Sequence, residues 1–490
     1  MYTKISTIAW VCFFGLWLVA GSAWAQGNLT PSGAPAPTMK SLDQIEARTA
    51  ITNTISLVTI AQSGSYYLTH NLTVSTGDAI DITTNNVTLD LNGFTISSTA
   101  ASSTGVAILL GSSSALRNVT ILNGFIKSGT TNNGLNVYAG SGFNYGISFN
   151  AQPTMVSVRD VTVSGCLQAG IYLTQNGSLV ENCKVLSTGG MGIYATTVRQ
   201  CVVRDCGNGA IQCEGAYDCS GETTSLNVVY TIVGSVVQNC SGTCVNGYAI
   251  SGTTVNNCSG VAYGAGVGIY ATVANNCSGT SSSGAGLVIV ESAHDCTGSC
   301  PAGTGIELNN RYGVLHDCTA KSSTVGIDMG IYATIINCAA IGNNSNGVVA
   351  GQSCVIRGCT VNANGGSSGT NGIGIIAGIR TTIEDCIVID NRNDGILAAG
   401  DSSILNNHVS HNGVGVTSAG IHTSGSGSRI EGNQLRDNNG YGIKSDGGAN
   451  ADIIIRNLAG ANSINYQPSN GSYFGPVQTP VNATNVLGNL

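Results

Sequence analysis

Apolar side chains recur along most of this chain in two short phrases that keep step with each other. One is a Gly-Ile phrase, as in AGIYL (169–173), MGIYA (191–195), VGIYA (267–271), TGIEL (304–308), VGIDM (325–329), AGIHT (419–423) and YGIKS (441–445). The other ends on cysteine, as in SLVENC (178–183), TVNNC (254–258), TIINC (334–338) and TTIEDC (381–386). These cysteines fall at 166, 183, 201, 219, 240, 258, 277, 296, 318, 338, 359 and 386, and Asn407 and Asn433 then take the same slot. Three residues before the slot stands Val or Ile in most coils, and two residues after it stands another apolar side chain in many (Val185, Val203, Ala340, Val388). That alternation is a strand, a bend and a second strand with alternate side chains inward. The residue just before the slot is mostly Asn, Asp or Gly, types that tolerate a left-handed backbone, so it predicts a tight corner. A repeat of roughly 20 residues in which no unit can bury its own apolar face is the signature of a stacked solenoid. The predicted fold is therefore all-β, a parallel β-helix with a cap at each end.

The repeat also sets boundaries. NVTLDLNGFTI (86–96) and NVTILNGFI (118–126) are two copies of one strand-turn-strand unit, so the solenoid is expected over 53–465 with longer coils at its start. Ser41-Leu42-Asp43-Gln44 fits a capping box, which predicts a short helix over Leu42–Arg48 within an N-terminal cap at 41–52. The Pro-containing stretch 26–40 reads as a linker, and 466–490, where the period is lost, as a C-terminal tail or cap. Residues 1–25 read as a secretion signal: Lys4, an apolar run from Ile8 to Ala20, and an Ala-x-Ala site ending at Ala25. The expected location is secreted, periplasmic or cell-surface after cleavage near Ala25, with no transmembrane segment in the mature chain.

Composition narrows the partners. Charged residues are only 9% of the chain and the net charge is −7, so there is no basic stripe and nucleic acid is excluded as an expected partner. Gly is abundant at 68 and apolar residues reach 42%, which argues for many short strands and against disorder.

The N-terminal unit GSYYLTHNLTV…AIDITTNNVTLDLNGFTI, followed by stacked Gly-Ile and Asn-x-Val coils, resembles secreted right-handed parallel β-helix repeat proteins of the pectate-lyase-like superfold. The resemblance covers roughly 40–465. It implies substrates lying along one exposed face, usually acidic polysaccharides, and activities that include lyases, hydrolases and epimerases. The Asn-Thr-Asp, Asp-Asp, Gly-His-Gly and Arg-Ile-Lys patches of polygalacturonase-like members are absent, as is the Asp-Pro-His-Asp string of the epimerase-like members. No cofactor is indicated. Calcium is the one ion the resemblance allows, and the uncharged stretch between Glu222 and Glu291 is a poor place for it.

Candidate chemistry follows from the strand period. The residue after the inward Ile faces out, which puts Tyr172, Tyr194, Gln212, Ser251, Tyr270, Val288, Glu307, Asp328, Val349, Ile376, Leu397, His422 and Lys444 on one strip, with one coil between Gln212 and Ser251 not assigned. Tyr172, Tyr194, Tyr270, Glu307 and Asp328 are its candidate glycan-binding residues, with Tyr332 in a further GIYA phrase close by. The ordinary alternative is that Tyr simply suits an exposed strand position. Charge gathers over 376–456 with three of the six histidines, making Arg392, Asp394, His411, His422 and Lys444 the candidates for acid–base work; a solvated loop face is the plainer explanation. The cysteine row lacks paired Cys-x-x-Cys and His, so it predicts no metal site but an inward stack of small side chains, with Cys240/Cys244 and Cys296/Cys300 as pairs able to staple corners. Three function classes remain: a glycan-binding protein, a polysaccharide lyase, hydrolase or epimerase, and a structural or adhesion rod.

Overall fold

The structure, a computed structural model, describes residues 47–490 except 112–113, 135, 227–228, 367–370, 449–451 and 479–486. The expected leader and linker, and all of the expected helix except Ala47 and Arg48, lie outside the described residues; those two are not helical. No helix among the described residues is long and apolar enough to cross a membrane.

From Arg48 onward the described residues wind into coils in which 51 strands form one hydrogen-bonded network with parallel pairing, beside a small antiparallel pair at Thr131–Asn132 and Tyr138–Ala139. Each coil contributes to three sheets. Sheet 1 carries the Gly-Ile strands, from Val58–Ile60 through Ala169–Tyr172, Thr304–Leu308 and Ala419–Thr423 to Ile464–Gln467. Sheet 2 carries the strands before the cysteine slot, from Thr49–Ile51 through Leu179–Glu181 and Val314–His316 to Tyr473–Phe474. Sheet 3 carries those after it, from Leu72–Val74 through Lys184–Thr188 and Ser278–Ser281 to Leu458–Gly460. The two expected copies at 86–96 and 118–126 stack in register, Val87 on Val119 and Ile96 on Ile126.

Inward columns from all three sheets fill the core. Sheet 1 stacks Ile171, Ile193, Ile211, Ile232, Ile250 and Ile269, all at 0–1% exposure. Sheet 2 stacks Val180, Val198 and Ala216, and later Ile335, Ile356 and Ile383. Sheet 3 changes along its length: Val185 and Val203 give way to Gly221, Gly242, Gly260, Gly279 and Gly298, then to Ala320, Ala340, Val361 and Val388. In the glycine stretch the backbone of sheet 3 presses directly on sheet 1; a Cβ on Gly279 would lie 2.1 Å from the carbonyl oxygen of Gly286.

The corners turn as the sequence predicts. Asn182, Asn257, Asn276, Asp317 and Asp385, each just before the slot, have φ between 50° and 55°. What the sequence did not predict is how the slot is bonded. The Cys183 backbone N–H donates to Cys201 Sγ at 3.4 Å, and Cys219 and Cys240 repeat the bond one coil on. Each thiol in turn donates back to the carbonyl two residues earlier, as Cys258 Sγ does to Asn256 O at 3.1 Å. The slot is therefore a hydrogen-bonded column as well as an apolar one, which is why Asn can inherit it: Cys386 N–H donates to Asn407 Oδ1, then Asn407 to Asn433, Asn433 to Asn457 and Asn457 to Asn489.

Two assignments change. Cys166 is not in this column; Val161 pairs into the slot ahead of Cys183, and Cys166 opens a second column at the next corner, beside Thr188 and Cys206. That column continues through Cys300, Ser323, Asn343, Asn364, Asn391, Asn412, Asn438 and Asn462. Cys244 and Cys300 belong to it as well, so the suggested staples Cys240/Cys244 and Cys296/Cys300 join different corners, and all 17 described cysteines are buried free thiols. Burial pushes the Cys166 and Cys206 thiols up to about 12, so both are neutral and inert.

Candidate functional site

Backbone pairing tests the outward strip coil by coil. Tyr172 pairs with Tyr194, Tyr194 with Gln212, Gln212 with Val233, Val233 with Ser251, Ser251 with Tyr270, Tyr270 with Val288, Val288 with Glu307, and Glu307 with Asp328. The row runs on through Val349, Ile376, Leu397, His422 and Lys444 to Gln467. Val233 fills the coil the sequence left open; its strand reads TIVG, without the Gly-Ile signal. From Tyr194 to Lys444 every side chain in the row is half-buried or buried, so it forms a floor rather than a ridge. Between Gln212 and Tyr270 this floor is a shallow depression edged by Gln175, Ser235, Thr253 and Thr272.

Aromatic side chains gather at two places. Tyr172 stacks on Tyr194 with ring centroids 5.2 Å apart and on Phe149 at 5.9 Å, and Tyr145 lies against it at 6.1 Å. Farther along, Tyr230 stacks on Tyr248 at 5.5 Å, and Tyr248 meets Tyr270 edge-on at 5.2 Å. Tyr145, Tyr230 and Tyr248 escaped the sequence reading because they stand two residues before the inward Ile. A strict period of two would turn that position inward, but alternation fails at the strand start, where Gly146, Thr231 and Ala249 are buried and the tyrosines before them reach the surface. Tyr332 is not on this floor. Its GIYA phrase is no sheet 1 strand but the corner ahead of sheet 2, where it has φ 59° and stacks on Tyr312 at 5.3 Å.

Glu307 and Asp328 are adjacent on the floor. Burial raises both carboxyls above the usual range, and for Glu307 the Asp328 charge adds to the effect.

Of the acid–base candidates, the structure brings together Asp394, His422 and Lys444 and adds Asp446. His422 Nδ1 is 2.9 Å from Asp394 Oδ2, and its Nε2 is 2.9 Å from Asp446 Oδ2. Lys444 Nζ donates to Asp446 Oδ2 at 2.7 Å, while Asp394 Oδ1 accepts the Ala419 backbone N–H at 2.6 Å. Asp446 stands two residues after Lys444, past the end of the Gly-Ile phrase, and nothing in that phrase marks it. Arg392 and His411 lie apart from this cluster, on a shallow corner depression with Asp390 and Gly365. His411 is itself a corner residue, φ 56°, and its Nε2 is 3.9 Å from Asp437.

With both ring nitrogens on carboxylates, His422 is a held cation, not a free base. The Asp394 hydrogen bond raises its pKa most and Asp446 adds to it, against burial and the Lys444 charge. A raised folded-state value makes this contribution complete below the ordinary 6.5 and lost as pH climbs through the raised value. The stability of the parent protein should therefore fall from pH 6 upward through that window more steeply than the stability of His422→Gln. Urea unfolding at stepped pH checks this; parallel curves for the two proteins would contradict it.

Residues 260–414 and 329–474 match the family model described as "Right handed beta helix region". A comparison with curated proteins finds no significant match. Among solved structures, the chain is similar to the mannuronan C-5 epimerase AlgE4 A-module of Azotobacter vinelandii (14% identity, 83% of this chain and 90% of that one, TM-score 0.20). It is also similar to bacteriophage CBA120 tailspike protein 3 (9%, 75% and 58%, 0.27) and to PfbA, a surface adhesin of Streptococcus pneumoniae (10%, 81% and 87%, 0.19). An epimerase, a tailspike and an adhesin select no single activity. The parallel three-sheet coils make the fold a parallel β-helix, and its coils over 260–474 match the right-handed β-helix family model.

Proposed function

We propose that this protein is exported and binds an extended polysaccharide along the outer floor of sheet 1. The observation that carries the proposal is the in-register row itself, with one aromatic cluster at Tyr145, Phe149, Tyr172 and Tyr194 and a second at Tyr230, Tyr248 and Tyr270. Flat aromatic faces match the apolar faces of sugar rings, and the Gln and Ser side chains between them match hydroxyls. From Tyr172 to Leu397 the row holds two carboxylates and no cation, a floor suited to neutral sugars and unfavourable to a polyanion. Tyr172→Ala with Tyr194→Ala should weaken binding at least about tenfold, a usual cost of truncating a central aromatic contact. Retention of parent protein and variant on immobilised polysaccharides measures it, and equal retention would remove this floor from the account.

One observation favours hydrolysis as a second reading. Glu307 and Asp328 are paired across adjacent coils, so two carboxyls stand side by side on one face, the arrangement a retaining glycosidase needs. New chain ends that disappear in Glu307→Gln or Asp328→Asn would establish it. The Asp394–His422–Asp446–Lys444 cluster supports this reading less, because its histidine has no nitrogen left to accept a proton.

A further inference from the structure

On the outer face of sheet 2, away from the proposed glycan floor, two neighbouring coils place His294 and His316 in register. Their rings stack with centroids 5.1 Å apart and planes 10° from parallel. The next residue in each coil is a corner aspartate, Asp295 or Asp317, with left-handed φ of 53° and 54°. Asp317 Oδ2 lies 2.6 Å from His316 Nδ1 and 3.5 Å from His294 Nε2, and Asp295 Oδ2 lies 2.8 Å from His294 Nδ1. His316 Nδ1 is buried and makes no hydrogen bond despite its closeness to the carboxylate. One donor atom from each of His294, His316 and Asp317 lies within 4.8 Å of the other two. In the coils on either side the same two positions hold Asn275 with Asn276 and Ile336 with Asn337, so imidazole and carboxylate coincide in these two coils.

We propose that His294, His316 and Asp317 bind a divalent transition-metal ion of the zinc class. Two imidazoles and a carboxylate are donors such an ion takes, whereas calcium and magnesium favour all-oxygen shells. Bond lengths of ~2.0–2.2 Å to zinc bring tetrahedral donors to about 3.4 Å from one another. The three side chains are 37–48% exposed, so they can close that distance by rotating, without moving a strand. Water completes the shell, and Asp295 is placed to orient the His294 ring through its other nitrogen. Sequence reading missed the site because its histidines are separated by a full coil and meet only through the register.

The test is calorimetric titration of the full folded chain with Zn²⁺ alone at neutral pH, repeated on His316→Gln and on His294→Gln/His316→Gln. The expected result is one ion bound per chain, affinity at least about tenfold lower in the single variant, and no saturable binding in the double variant. Circular dichroism and unfolding midpoints of the metal-free proteins should agree, because both side chains face solvent. Cu²⁺ added in place of Zn²⁺ should show nitrogen hyperfine splitting that the double variant lacks. No saturable binding by the parent, or binding that the double variant keeps, overturns the proposal.

Discussion

Gly279→Val is expected to lower stability by about 4 kcal/mol or more, into the range reserved for changes that a core cannot absorb. Gly279 faces inward on sheet 3 in the stretch where Gly242, Gly260 and Gly298 do the same. Its added Cβ would meet the Gly286 carbonyl oxygen at 2.1 Å and Leu287 Cδ2 at 2.6 Å. The nearest atom is backbone, so no rotamer change relieves the clash; sheets 1 and 3 must part, and the coils stacked on either side must part with them. The cost is one of space alone, since Gly279 is not among the residues with positive φ. Thr280→Val, one residue on and facing solvent, should change stability by less than about 0.5 kcal/mol. Urea unfolding of the two variants beside the parent measures the contrast. Similar midpoints for both would mean that the glycine column is not closely packed.

The second large effect is expected at the corner column. Asn433→Ala should cost about 3 kcal/mol, although it removes only a small, fully buried polar group. Asn433 Oδ1 accepts the Asn407 backbone N–H at 2.9 Å and its Nδ2 at 3.0 Å. Asn433 Nδ2 donates to Ile404 O at 2.9 Å and to Asn457 Oδ1 at 3.0 Å. Alanine leaves the buried Asn407 N–H without a partner, at about 1–3 kcal/mol, and removes the further bonds to Asn407 Nδ2, Ile404 O and Asn457 Oδ1. Asn433→Cys should be milder, because a thiol in this slot takes the same backbone N–H in the earlier coils. Denaturant midpoints should therefore fall in the order parent, Cys, Ala. A cysteine variant weaker than alanine would show that the column works by packing alone.

These two cases mark what the sequence could and could not convey. Strand positions, inward columns and the left-handed corner were legible because the period of two and the Asn or Asp before each slot are local signals. The outward row from Tyr172 to Lys444 followed from the same period, and the pairing agrees with it residue by residue. Relations between coils were not legible. Asn407 following Cys386 was visible as a substitution in the slot, but the shared hydrogen bond behind it depends on which atoms meet across neighbouring coils. Cys166 joined the wrong column because two corners of one coil carry similar residues. Tyr332 was misplaced because GIYA forms a strand at 268–271 and a corner at 330–333. Asp446, Tyr248 and the His294–His316 pair gain their neighbours only from the stacking register.

Glycan binding along sheet 1 is tested by incubating the folded protein with a panel of neutral and acidic polysaccharides and recording bound polymer and new chain ends together. The expected result is retention of a neutral polymer, lost in Tyr172→Ala/Tyr194→Ala and kept when Ile387, exposed on sheet 3, is replaced by Ser. No polymer retained anywhere on the panel, or retention indifferent to both tyrosines, would contradict it and leave the coils as a structural rod.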